Sequence, residues 1–172
     1  MDQKITKDTK FRTGSGDIVT FDEMAERIIA YIKAIPGVNY NIAIGTDSQT
    51  YDETKVVLAV TVHRVGNGGI FFVKSIYHEA FRITQLQDKL YEETHISLTA
   101  TEMLFESLLD HGFDITDEAN NVHLTVHIDV GKNGATKAYI SELEGWVRAM
   151  GYDTAIKPDS YAASFVADKY SK

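Results

Sequence analysis

The sequence contains no cysteine among its 172 residues. This absence excludes a disulfide scaffold and a thiolate metal site. No window approaches the run of about 20 apolar residues that spans a bilayer, and the polar start lacks the apolar core of a signal peptide. We therefore expect a cytoplasmic protein with no membrane segment. Proline is scarce as well, and Pro36 and Pro158 both fall at predicted element boundaries.

Positive charge is in short supply, because 17 lysines and arginines face 25 aspartates and glutamates, for a net charge of −8. Such a balance counts against a broad basic groove for nucleic acid. However, a carboxylate site that holds divalent cations looks acidic in sequence and becomes less so once loaded. A local basic patch is also compatible with an acidic chain, and its candidate residues are Lys132, Lys137, Arg148, Lys157, Lys169 and Lys172.

Length and a hydrophobic content of 44% predict one globular domain over residues 1–172. Residues 1–40 would form an N-terminal extension and a helix, and residues 41–172 the core. The first helix should begin after Thr20, which has the capping-box spacing to Glu23, and should end at Pro36.

Hydrophobic periodicity predicts the elements that follow. Three strands are expected over residues 41–47, 56–62 and 70–77, with a hairpin signal before the third. A long helix over 90–110, a strand over 122–130, a helix over 140–150, a strand over 154–157 and a last helix from Pro158 complete the order. This order predicts an α/β fold with a mixed five-stranded sheet and helices on both faces. Three strands would form an antiparallel meander and two would run parallel.

Two aspartates fall at strand ends in this scheme. Asp47 ends the first predicted strand and Asp129 lies near the end of the fourth. Ligands bind at the carboxyl edge of parallel strands, so neighbouring strands would bring both carboxylates together. Close carboxylates raise each other's pKa unless a cation lies between them, and hard oxygen ligands suit Mg²⁺ or Mn²⁺. The sequence therefore predicts a divalent metal site at this edge.

Further acids come from two later helices. Glu93 and Glu102 lie about half a turn out of phase on the long helix, so only one can point at the metal edge. Glu93 shares its face with apolar residues and lies near the helix start, so it is our choice, with Glu102 as the alternative. Asp159 directly follows the fifth strand, whereas Asp168 lies about 13 Å further along its helix. Asp159 is the predicted fourth acid and Asp168 the alternative.

Three short strings resemble the bacterial YkuK-type ribonuclease H-like family: Ile44-Gly-Thr-Asp-Ser-Gln49, His127-Ile-Asp-Val-Gly131 and Ile156-Lys-Pro-Asp-Ser-Tyr161. The order of the elements and of their acids adds to this likeness, which covers residues 41–172. The resemblance implies a metal-dependent nuclease that acts on RNA, an RNA–DNA hybrid or a structured, branched DNA.

The chemistry implied by the resemblance is phosphodiester hydrolysis with two divalent ions about 3.5–4 Å apart. Asp47 would bridge both ions, and Glu93, Asp129 and Asp159 would complete their ligand shells. Lys132 or Lys137 would contact a substrate phosphate near a helix N-terminus, which favours anions.

Less specific interpretations compete with this one. His123 and His127 share the Asp129 face of their strand, but such histidines usually pack or form hydrogen bonds rather than bind a metal. The alternative function is a non-catalytic nucleic-acid-binding or assembly module that retains the fold. A kinase-like ATPase is disfavoured, because that architecture needs a second copy of the domain. The sequence predicts no oligomeric state.

Overall fold

The computed structural model describes residues 5–50, 54–78, 85–157 and 159. Its strands are β1 (Phe11–Thr13), β2 (Ile18–Val19), β3 (Tyr40–Thr50), β4 (Thr54–Arg64), β5 (Gly69–His78), β6 (Val122–His127) and β7 (Asp153–Ala155). Its α-helices are α1 (Phe21–Ala34), α2 (Leu86–Asp110) and α3 (Ile140–Ala149). Two short 3₁₀ helices, Glu118–Asn120 and Ala135–Tyr139, precede β6 and α3.

The strands form one mixed sheet in the order β2-β1-β5-β4-β3-β6-β7. β3, β4 and β5 make the predicted antiparallel meander, and β6 and β7 add in parallel beyond β3. The prediction of five strands was wrong in number, because the sheet has seven. The additional strands β1 and β2 extend the sheet beyond β5. They are three and two residues long, too short for an alternating pattern to show in a polar segment.

Residues that pair across neighbouring strands point to the same face of the sheet. Ile44 and Val126 pair in register and are both fully buried. Ile44 belongs to the core that α1 and α2 cover, while Val126 belongs to a second cluster with Leu143 and Val147 of α3. The three described α-helices therefore pack on one face. The helix predicted from Pro158 onward lies outside the described residues.

Some element boundaries differ from those predicted. β3 does not stop at Asp47 but runs to Thr50, because Asp47 stays paired with Val57 in the ladder with β4. Cross-strand pairing thus keeps in a strand several polar residues that composition alone would assign to a loop. The long helix begins earlier than predicted, at Leu86. Within the described ranges, no helix has the length and apolar character needed to cross a membrane.

The capping box of α1 is present as predicted. Glu23 N donates to Thr20 Oγ1 at 3.2 Å, and Thr20 N donates to Glu23 Oε1 at 3.0 Å. These bonds satisfy two backbone donors that would otherwise lack partners at the helix start. They fix the first turn of α1, whose Phe21, Met24 and Ala25 are buried in the main core.

Replacing Thr20 by Ala should lower the free energy of unfolding by about 1 kcal/mol, because the helix start loses its hydroxyl acceptor. The measurement is a urea unfolding curve. Thr20→Ser is the matched control, since it retains the hydroxyl and should stay close to the wild type. Equal losses in both variants would show that packing of the threonine methyl, rather than the cap, matters.

Candidate active site

The parallel register brings three charged residues to one edge of the sheet. Gly45 of β3 pairs with His127 of β6, and His127 pairs with Ala155 of β7. Two residues further along these three chain segments come Asp47, Asp129 and Lys157. The carboxyl ends of parallel strands are where ligands bind in such sheets. An acid, a second acid and a lysine therefore meet at the expected place.

Asp129 occupies a turn at the end of its strand. Val130 N donates to Ile128 O at 2.8 Å, which closes a three-residue turn around Asp129. Pairing with the β7 segment continues on both sides of it, because Ile128 N donates to Ala155 O and Lys157 N donates to Val130 O, each at 2.9 Å. The turn presents the Asp129 side chain, which is 21% exposed, at the sheet edge.

Glu93 reaches the same edge from α2. Thr46 Oγ1 donates to the Glu93 carbonyl at 3.1 Å, and Ser48 Oγ forms a short hydrogen bond with Glu93 Oε2. Both hydroxyls belong to β3, on either side of Asp47 in sequence. Glu93 is 6% exposed, so its carboxyl group is held between the helix and the strand. The sheet and the helix thus each supply acids to one site.

Burial is the strongest influence on Glu93 and raises its pKa from 4.5 to about 8. The Ser48 hydrogen bond and Lys89 oppose the rise, whereas Asp129 and Asp47 add to it by repulsion. Glu93 therefore keeps its proton at neutral pH unless positive charge is added. Because both aspartates raise the pKa of Glu93, the three acids share one electrostatic environment.

Lys157 is the cation that contacts Asp129 in this environment. Its Nζ lies 2.9 Å from Asp129 Oδ1. This contact raises the pKa of Lys157, while partial burial opposes the rise and Asp47 and Glu93 add to it. From its sequence context, Lys157 is expected only in a general basic patch. The signal that would have found it is its position at the end of a strand parallel to the Asp129 strand.

The carboxylate oxygens of the site suit a hard divalent cation, although in the part of the chain that the structure describes they do not form a complete set of metal ligands. Among the described residues, no three acids or histidines are grouped closely enough to hold a metal ion. The fit rests on Glu93, a buried carboxyl kept protonated where two further acids already repel its charge. A divalent cation would relieve this repulsion. Asp47, Glu93 and Asp129 are the residues that would hold it.

The other predicted acids lie elsewhere or outside the described residues. Asp159 is exposed and lines a cavity with His63, His123 and His127, and its charge is not among those that act on Glu93 or Lys157. Glu102 lies near Tyr152 instead, because its charge, after burial, raises the pKa of that tyrosine. Asp168, Lys169 and Lys172 fall outside the described residues.

The candidate phosphate contacts lie on the chain that follows Asp129. Lys132 and Lys137 are both exposed, in the turn before the 3₁₀ helix Ala135–Tyr139 and within that helix. Gly131 N donates to Thr136 Oγ1 at 3.0 Å, which folds this turn back on itself. Arg148, another residue of the predicted basic patch, forms an ion pair on α3, with its Nη2 3.5 Å from Glu144 Oε2.

Comparison with known proteins agrees with this fold. A family model described as Ribonuclease H-like matches residues 23–172. The chain belongs to the ribonuclease H-like family. A curated relative, the "Uncharacterized protein YkuK" of Bacillus subtilis (strain 168), is 36% identical over 163 residues, which cover 90% of this chain and 92% of the relative. The resemblance drawn from the three short strings is thereby confirmed. No solved structure matches the chain.

The raised pKa of Glu93 predicts a pH-dependent stability. Between pH 4.5 and about 8 the folded protein retains a proton that the unfolded chain releases. The free energy of unfolding should therefore fall as pH rises through this window, by up to about 1.4 kcal/mol per pH unit from this group. Glu93→Gln should remove that contribution, as measured by urea unfolding from pH 5 to 8 in the presence of EDTA.

The exposed Glu142 provides the control, because Glu142→Gln should keep the slope of the wild type. The result that counts is the difference in slope between wild type and variant, since other groups titrate in both. Parallel curves for the wild type and Glu93→Gln would refute the raised pKa.

Proposed function

We propose that this ribonuclease H-like protein is a divalent-metal-dependent nuclease that hydrolyses phosphodiester bonds. The observation that carries the proposal is the shared environment of Asp47, Glu93 and Asp129 at the carboxyl edge of β3 and β6. Carboxylates in such an arrangement favour Mg²⁺ or Mn²⁺ over softer metals. RNA, an RNA–DNA hybrid and structured DNA are the candidate substrates.

Each acid has a distinct task in this proposal. When bound, divalent ions supply a Lewis acid for the phosphate and an activated water. Asp47 is the proposed central ligand, because β3 pairs with β6, which leads to Asp129, and contacts α2 at Glu93. Glu93 would release its proton to solvent when a divalent ion binds, and Ser48 orients its Oε2. Asp129 is the third acid of the proposed site, and Asp168 is the proposed fourth, since Asp159 lines the histidine cavity.

The proposed substrate contacts follow from charge. A nucleic acid meets a chain of net charge −8, so the binding surface must be local. The exposed Lys132 and Lys137 follow Asp129 within eight residues of the chain and offer positive charge. They are the proposed contacts for a substrate phosphate.

A second function, a non-catalytic nucleic-acid-binding module, is favoured by one observation. Asp129 already has an ammonium partner in Lys157, and the described residues form no ready metal-ligand group. Such a module would bind nucleic acid through its lysines without needing divalent ions. The two functions differ in Mn²⁺ dependence, which a cleavage assay measures directly.

Replacing Asp47 by Asn should reduce Mn²⁺-dependent cleavage by about a thousandfold, because metal stabilisation of the transition state amounts to several kcal/mol. The assay uses a mixed panel of labelled RNA, hybrid and branched DNA. Circular dichroism should show an unchanged fold. Asp110→Asn, at the exposed end of α2, is the matched control and should cleave like the wild type.

Two results would contradict the proposed role of Asp47. If the wild type cleaves none of these substrates yet binds them without divalent ions, the protein is a binding module. Cleavage that survives in Asp47→Asn would assign the chemistry to other residues.

A further inference from the structure

We infer that Lys157 is a built-in cation of the active site and takes the place of one of the two divalent ions. The protein would then work with a single bound metal ion. This inference rests on the proposed nuclease function and deepens it, because it states how many ions the site accepts.

The first argument is the geometry of the contact. Lys157 Nζ lies 2.9 Å from Asp129 Oδ1, the distance of a direct ion pair. A divalent ion that used this oxygen would have to displace the ammonium. The Asp129 side chain is 21% exposed and the Lys157 side chain 55%, so water reaches the pair mainly from the lysine side.

The second argument is that the backbone holds Lys157 in this position. Its N–H donates to Val130 O at 2.9 Å, which fixes Lys157 beside the turn at Asp129. Its aliphatic stem runs past Gly131, since a Cβ atom on that glycine would meet Lys157 Cβ at 3.5 Å and Cδ at 3.6 Å. The strand pairing therefore places Lys157 beside the acids, and its stem follows the glycine at the turn, although more than half of the side chain is exposed.

The third argument is the charge of the site. Asp47, Glu93 and Asp129 all act on Lys157, so one ammonium faces three acids. With these four groups ionised, the net charge is −2, and Lys89, which also lowers the pKa of Glu93, makes the surroundings less negative. One divalent ion is therefore enough to balance the acids, whereas two would leave the described site positive. The described residues alone therefore call for one divalent ion and not two.

An ammonium can perform part of what a metal ion does. It is a compact charge with three donors, and it can neutralise a phosphate oxygen as well as an acid. It cannot bind and activate water as a Lewis acid does. We therefore assign the divalent ion to Asp47 and Glu93, and the charge beside Asp129 to Lys157.

The test is Mn²⁺ titration of the full chain by calorimetry at pH 7.5, for the wild type, Lys157→Gln, Lys157→Met and Lys157→Arg. We expect one ion per chain for the wild type and for Lys157→Arg, which keeps the positive charge. Lys157→Gln and Lys157→Met should bind two, because Asp129 becomes available. Their first ion should also bind at least about tenfold more tightly, since a nearby positive charge is gone. Lys33→Gln, on the exposed surface of α1, is the control and should bind one.

The outcomes separate this inference from the proposed function. Two ions in the wild type would overturn the role of Lys157 and leave the two-ion nuclease intact. One ion in folded Lys157→Gln and Lys157→Met would also overturn it. No Mn²⁺ binding by the wild type or either neutral variant would overturn both the inference and the nuclease. Two neutral substitutions are used so that a folding defect in one does not remove the test.

Discussion

The parallel pairing of β3 with β6, and of β6 with β7, is the constraint on which the site depends. Residues in a parallel ladder advance together, so Gly45, His127 and Ala155 form one row across the sheet. The residues two positions further on arrive at a common edge as a result. A slip of one residue in either ladder would turn an acid to the opposite face. The hydrophobic pairs of the ladder, such as Ile44 with Val126, hold this register by burial.

The position of Glu93 shows how packing and chemistry conflict in this fold. The helix face that carries Glu93 also carries Ile96 and Ala100 into the main core, so the carboxyl group is buried with them. Burial of a carboxyl group costs free energy unless it stays neutral or meets a cation. Ser48 provides one hydrogen bond but no charge. The folded chain therefore keeps an acid in an unfavourable position, as is usual where a protein binds or reacts with a ligand.

Much of this arrangement could be predicted from the sequence, for identifiable reasons. The sequence over residues 122–130 alternates strictly, and the capping box at Thr20 is a local signal, so β6 and the capping box were both found, although β6 ends at His127 rather than Val130. Strings around Asp47 and Asp129 indicated the family because they combine a buried strand with an acid at its end. Glu93 was chosen over Glu102 by helical phase, and it is Glu93 that contacts β3.

What could not be predicted depends on contacts between distant segments. β1 and β2 are strands only because β5 offers its edge to them. Lys157 belongs to the site only because its segment pairs with the end of β6, and no local pattern marks a lysine for such a role. Asp159 follows β7 as expected, but it lines a cavity with histidines from β4 and β6. The direction of a side chain after a strand end is set by tertiary packing, which composition does not encode.

The small strands at the margins of the sheet also have a consequence for aggregation. β5 is ten residues long and carries Phe71, Phe72 and Val73, and with a bare edge it would offer a template for another chain. β1 pairs with the Phe72 and Val73 stretch, and β2 then forms the margin with only two residues. At the opposite margin, β7 has three. Beside the apolar part of β5 and at β7, the margins of the described sheet are thus only two and three residues long, which disfavours edge-to-edge pairing with a neighbouring molecule.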